Sequence, residues 1–71
     1  MTAADRIGQL SRDLSEQHAF CTAHTRRALQ ARADGLRLES ELLLSLARGY
    51  LDRVLTLATE LRAALSEGVP S

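Results

Sequence analysis

Two histidines and the only cysteine of this 71-residue chain lie close together in the sequence. His18, Cys21 and His24 form an H-x2-C-x2-H series, and imidazole and thiolate are ligands that zinc prefers in proteins. Helical residues three apart can share a metal ion, but three ligands over six residues fan across roughly 120°. The chain has no further His or Cys to complete a tetrahedral site, although a dimer would supply these ligands in pairs. We therefore expect a semi-polar helix face here and no cofactor, with a metal-binding helical bundle as the alternative.

A cysteine with a histidine nearby could also act in nucleophilic catalysis. A nucleophilic Cys21 needs an oriented base and a site that stabilises an oxyanion, and a pair of helices provides no cleft for either. Phosphate-binding Gly-rich loops and the G-x-S-x-G nucleophile motif are both missing from the sequence. Glu39 and Glu41 are expected near the start of a helix, where carboxylates stabilise the helix dipole without any catalytic role. The sequence therefore predicts no catalytic residues and a protein that is not an enzyme.

The charges argue against strong electrostatic binding to nucleic acid or to an anionic membrane. Nine acidic residues balance nine basic ones, so the formal net charge is zero. The alternative is a small regulator that binds nucleic acid through an Arg-rich turn region, in which Asp34, Glu39 and Glu41 dilute the positive charge. The arginines of that region are Arg26, Arg27, Arg32 and Arg37.

The length and the cysteine content predict one small cytoplasmic domain. Chains of this size bury only about 60% of the surface that their unfolded form exposes, so oligomerisation often stabilises them. A single cysteine excludes an intramolecular disulfide and favours a reducing compartment. The longest apolar run is far shorter than the roughly 20 residues that span a bilayer, so we expect no membrane span.

Apolar residues at steps of three and four predict a first helix over about residues 3–33. Thr2 and Asp5 have the T-x-x-D form of a capping box, which places the helix start near Ala3. The predicted stripe on one face of this helix consists of Ile7, Leu10, Leu14, His18, Cys21, Thr25, Ala28 and Leu29.

Asp34-Gly35 is the strongest break in the interior of the chain. Glycine tolerates the left-handed conformation that ends helices, and Asp can cap the helix that follows. A turn at about 34–35 gives a second helix at about 36–67, a short tail at 68–71, and two nearly equal arms that form an all-α antiparallel hairpin. The alternative is one continuous helix, because a glycine inside a helix costs only about 1 kcal/mol relative to Ala.

The apolar residues of the second helix cover an arc of roughly 180°, which is wider than the stripe of a lone surface helix. They divide into a central row and a flank beside it. The central row contains Leu43, Ala47, Tyr50, Val54, Leu57, Leu61 and Ala64, and the flank contains Leu44, Leu51, Leu55, Ala58 and Leu65.

One narrow, semi-polar helix is too small to cover this arc, so the sequence predicts packing against itself, against an amphipathic helix of another protein, or both. The simplest assembly is a homodimer of two hairpins in a four-helix bundle with coiled-coil packing. The expected function is that of a non-catalytic protein–protein interaction module, such as a small helical adaptor, co-chaperone or assembly subunit. The predicted partner-binding residues are Leu43, Leu44, Tyr50, Leu51, Val54, Leu55, Leu57, Ala58, Leu61 and Leu65.

Overall fold

The computed structural model describes residues 2–67, and within them the chain forms helices α1 (Ala3–Ala33) and α2 (Arg37–Glu67) and no strand. The two helices pack against each other as an antiparallel hairpin, a rod that measures 54 × 15 × 15 Å. This confirms the predicted all-α hairpin, while the predicted tail at 68–71 lies outside the described residues. In residues 2–67, neither helix has an apolar stretch long enough to cross a membrane.

Helix α1 begins with the capping box that the sequence predicts. The backbone N–H of Asp5 donates to the Thr2 hydroxyl oxygen at 3.1 Å, and the backbone N–H of Thr2 donates to the Asp5 carboxylate at 3.3 Å. Both bonds satisfy amide groups that have no partner within the first turn of a helix. The carboxylate also lies at the positive end of the helix dipole.

The turn between the helices depends on Gly35, whose φ of +79° is left-handed. The backbone N–H of Leu36 donates to the Ala31 carbonyl at 2.8 Å, and that of Gly35 donates to the Arg32 carbonyl at 3.1 Å. This pair of bonds is the Schellman motif that closes a helix C-terminus. The break excludes the continuous helix.

Two details of the turn differ from expectation. Helix α2 begins at Arg37, one residue later than predicted. Asp34 does not cap α2, because it is the C-cap of α1 and its carboxylate accepts a hydrogen bond from the Gln30 side chain at 3.1 Å. The Schellman bonds use the backbone of residues 35 and 36, which leaves Asp34 on the α1 side of the turn.

The interface between the helices follows a strict alternation of three- and four-residue steps, as in an antiparallel coiled coil. Every residue of this series is buried or half-buried. Residues equally distant from the turn share a layer, so that Ala28 is level with Leu43 and Cys21 with Tyr50. We call this interface the seam; it consists of Ile7, Leu10, Leu14, Gln17, Cys21, His24, Ala28 and Ala31 of α1, and Ser40, Leu43, Ala47, Tyr50, Val54, Leu57, Leu61 and Ala64 of α2.

The seam confirms the face expected for α2 and corrects the one expected for α1. His18 and Leu29 are exposed, and Gln17, His24 and Ala31 take inward positions. Between Ile7 and Ala28 the predicted and observed series take the same number of steps and differ only in the order of the three- and four-residue steps. Regular alternation of the two steps, as in helices packed by knobs into holes, places Gln17 and His24 towards α2.

Small side chains bring the helices close together near the turn. The Ser40 hydroxyl donates to the backbone carbonyl of Ala28 at 2.9 Å, which satisfies a polar group that is only 5% exposed. Ala28, Ala31 and Leu43 form the buried cluster beside it. The buried apolar residues of the described chain are mostly alanines, so the interior is thin: Leu10, Ala28, Ala31, Leu43, Ala47 and Ala64.

A pair of glycine substitutions tests the turn. Gly35→Ala should destabilise the hairpin by about 1 kcal/mol or more, because an L side chain is strained at a φ of +79°. Gly49→Ala is the matched control: Gly49 lies inside α2 with open space around it, so alanine should stabilise the fold by up to about 1 kcal/mol. Urea unfolding followed by circular dichroism gives both values. Stabilisation by Gly35→Ala would contradict the turn and favour one long helix.

Candidate functional site

Helix α2 carries a second series with heptad spacing, displaced by one residue from the seam. It runs from Glu41 to Leu65 in alternating steps of three and four residues, and all of its members are exposed. Its apolar members are Leu44, Leu51, Leu55, Ala58 and Leu65, which we call the leucine stripe. The leucines of the stripe are between 45% (Leu51) and 58% (Leu55) exposed. A helix with two adjacent heptad series is typical of bundles in which it contacts more than one neighbour.

Charged residues occupy the remaining positions of this second series. Glu41 stands at its N-terminal end, Arg48 lies between Leu44 and Leu51, and Arg62 lies between Ala58 and Leu65. Glu41 contacts Arg37 with an N–O distance of 3.4 Å, but the two side chains are 60% and 89% exposed. Such exposed pairs contribute little to stability, so Glu41 remains available to another cation. The series is therefore acidic at one end and basic towards the other.

The edge of α1 beside the leucine stripe is mainly small and polar. By heptad position it consists of Ser11, His18, Thr25 and Arg32, all exposed or half-exposed. An open groove of about 560 Å³ lies at the turn end of this side, with Arg32, Ser40 and Leu44 among its lining residues. Helix α1 thus covers the seam of α2 but offers no apolar side chains to the stripe.

The structure divides the predicted partner-binding residues into two sets. The first set lies in the seam against α1, where Leu43 is buried and Tyr50, Val54, Leu57 and Leu61 are half-buried. The second set is exposed and forms the leucine stripe. Only the stripe is therefore available to a partner without opening the hairpin.

The three residues with metal-binding chemistry do not converge on one point. His18 is exposed on the edge of α1, whereas Cys21 and His24 are half-buried in the seam. No group of three His, Cys, Asp or Glu side chains in residues 2–67 is arranged to hold a metal ion.

An aromatic cluster surrounds His24 instead. Its Nδ1 lies 2.9 Å from the Phe20 carbonyl oxygen, which can only accept, so Nδ1 is the donor when this hydrogen bond forms. The ring of Tyr50 packs 5.1 Å from the His24 ring and 5.4 Å from the Phe20 ring, measured between centroids. These distances are typical of packed aromatic pairs, so His24 and Tyr50 fill the seam at this level.

The Arg-rich region at the turn is exposed and electrically mixed. Arg26, Arg27, Arg32 and Arg37 all face solvent, but so do Glu39 and Glu41. The acidic side chains weaken the attraction of the arginines for phosphate. The mixed charges at the turn therefore give no support to the predicted alternative of nucleic-acid binding in this region.

The residues predicted from the sequence do not include one exposed apolar ridge of α2. Leu38, Leu42 and Leu46 follow one another at steps of four on α2, and Leu38 is 82% exposed. Residues four apart lie on one face of a helix, so the spacing itself was a signal. Leu46 lies at the edge of the predicted 180° arc, at the same angle as Ala64, whereas Leu42 and Leu38 lie progressively further outside it.

No known protein family, curated protein or solved structure matches this chain.

Gln17 is an unusual member of the seam. Its Oε1 atom is buried and has no hydrogen-bond partner among the described residues. A buried polar atom without a partner costs about 1–3 kcal/mol, because it loses its hydrogen bonds to water. Gln17 therefore weakens the hairpin at the level of Val54.

Replacing Gln17 tests this account. Gln17→Leu should raise the free energy of unfolding by about 1–2 kcal/mol, since it removes the buried amide and adds apolar contact. Gln9→Leu is the control: the Gln9 side chain is exposed and bonds to Asp13 and Arg12, so its replacement should change stability by less than about 0.5 kcal/mol. Chemical denaturation of both variants measures the difference. A loss of stability in Gln17→Leu would contradict the absence of a partner for Oε1.

Proposed function

We propose that this protein is a non-catalytic protein–protein interaction module that binds an amphipathic helix along the leucine stripe of α2. The observation that supports the proposal is the second heptad series, whose apolar members form the exposed leucine stripe on a helix whose first series is already covered by α1. Scattered surface leucines need no explanation. Apolar residues in heptad register over the length of a helix indicate a surface shaped to pack against another helix.

The energetics favour an occupied stripe. Full burial of a leucine side chain contributes about 1.5–3 kcal/mol, and the four leucines of the stripe are each about half exposed. Contiguous apolar patches above a few hundred Å² mark interaction sites on soluble proteins. A helix with its own apolar residues at steps of three and four would insert them between Leu44, Leu51 and Leu55, as knobs fit into holes.

The residues with chemical reactivity support a non-catalytic role. Cys21 and His24 are half-buried in the seam and His18 is exposed on an edge of α1, and the His24 ring is held by the Phe20 carbonyl and the Tyr50 ring. The single cysteine is consistent with action in a reducing, cytoplasmic compartment. A small adaptor or assembly subunit fits these features.

Site-specific photo-crosslinking in the cells that make the protein tests this function. A benzoylphenylalanine residue in place of Leu55 should give covalent adducts with another protein chain, because Leu55 lies at the centre of the stripe. The same residue in place of Thr56 is the matched control: Thr56 is exposed and follows Leu55 directly in α2, which places it about 100° further around the helix, on the side away from both series. Mass spectrometry identifies the adducts.

The expected pattern is strong crosslinking from position 55, little from position 56, and loss of the position 55 adducts when Leu51→Asp is added. Leu51 is exposed, so the aspartate disturbs the surface rather than the seam. Equal crosslinking from positions 55 and 56, or adducts that persist with Leu51→Asp, would overturn the proposed function.

A further inference from the structure

We infer that the occupant of the leucine stripe is a second copy of this chain, with its α2 antiparallel to the first, in a four-helix bundle. This inference rests on the proposed function and names the partner for the same surface. It follows from the order of side chains along the second series, from the positions of its charges and from the dimensions of the rod.

The order of side chains is complementary to itself when two copies run antiparallel. A two-fold axis at the level of residue 53 places Leu51 of one copy opposite Leu55 of the other, so that leucines form the centre of the contact. Arg48 then lies opposite Ala58, whose small side chain leaves room for the aliphatic part of the arginine and a path for its guanidinium to solvent. Leu44 is level with Arg62, and Glu41 with Leu65. Every member of the series has a counterpart in such an isologous contact.

The charges distinguish the two directions of pairing. In the antiparallel arrangement Glu41 of one copy lies about 4.5 Å along the axis from the level of Arg62 of the other, three residues at 1.5 Å each. This proximity brings opposite charges together at both ends of the contact, while Arg48 lies slightly further from the same Arg62, about 6 Å along the axis. In a parallel, in-register pair, Glu41, Arg48 and Arg62 would each face their own counterpart in the other copy. Like charges at facing positions disfavour that pairing.

The length of the rod allows an extended contact. The second series spans about 36 Å, 24 residues at 1.5 Å each, of the 54 Å length of the rod. A second hairpin laid along the stripe has the same length. The small polar edge of α1, with Ser11 and Thr25, leaves space for the helix of the second copy to approach α2.

A charge exchange tests the inference in the purified full-length protein. Sedimentation equilibrium at about 50 mM salt, where exposed charges are only partly screened, should show a dimer for the unchanged chain. Glu41→Arg should weaken the dimer about tenfold, because it replaces two attractive pairs per dimer by repulsive ones; Arg62→Glu should weaken it less, because the new carboxylate repels Glu41 but attracts Arg48. The double variant should recover most of the original affinity, since the pairs are then restored with their signs exchanged.

Matched controls lie on the other edge of α2. Glu39→Arg and Arg53→Glu change the same charges at exposed positions outside the second series, and should alter the dissociation constant by less than about twofold. Helical content measured by circular dichroism establishes that each variant keeps its fold. Leu51→Asp should give a folded monomer.

Dimerisation of the unchanged chain, weakening by both single variants and recovery in the double variant would support the antiparallel pair. Single variants that weaken the dimer without recovery in the double variant would overturn this pairing. A folded monomer up to several hundred micromolar would overturn the second copy as occupant. In that last case, crosslinks from position 55 to a different protein would leave the proposed function standing, which separates the two failures.

Discussion

A single neighbouring helix can cover only one side of α2, and α2 carries two heptad series with apolar residues in addition to the ridge of Leu38, Leu42 and Leu46. The seam and the leucine stripe are displaced from each other by one residue, or about 100° around the helix. The left-handed Gly35 reverses the chain and brings α1 against the seam. The edge that α1 presents to the stripe consists of serine, histidine, threonine and arginine. The hairpin therefore covers one of these series and leaves the apolar residues of the other facing outwards.

The thin interior of the hairpin connects its stability to its proposed function. Near the turn, the alanines and Ser40 allow the helices to approach closely, but they bury little apolar area. Gln17 places an unpaired polar atom at the level of Val54, where an apolar residue would pack better. Association along the stripe would add buried leucine surface to the same helix. In such a system, the stability of the fold depends on the concentration of the partner.

The polar residues of the seam have packing roles that their chemistry alone would not suggest. From the sequence alone, His24 and Cys21 are candidates for metal ligands or for a catalytic pair. In the folded chain, His24 bonds to the Phe20 carbonyl and packs against Tyr50, and Cys21 occupies the layer of Tyr50. Of these three residues only His18 is exposed, and it lies on the edge of α1, outside the seam.

The sequence by itself determined the elements of this protein, because their signals are local. The Thr2 capping box, the Asp34-Gly35 break and the apolar arc of α2 each depend on residues within a few positions of one another, and all are present in the structure. The tertiary structure decided which residues of α1 face inwards, because packing against α2 follows a regular alternation of three- and four-residue steps and so places Gln17 and His24 in the seam in place of His18. It also divided the apolar arc of α2 into a covered seam and an open stripe. That division depends on where α1 lies and how wide its apolar face is, which follows only from packing one helix against another.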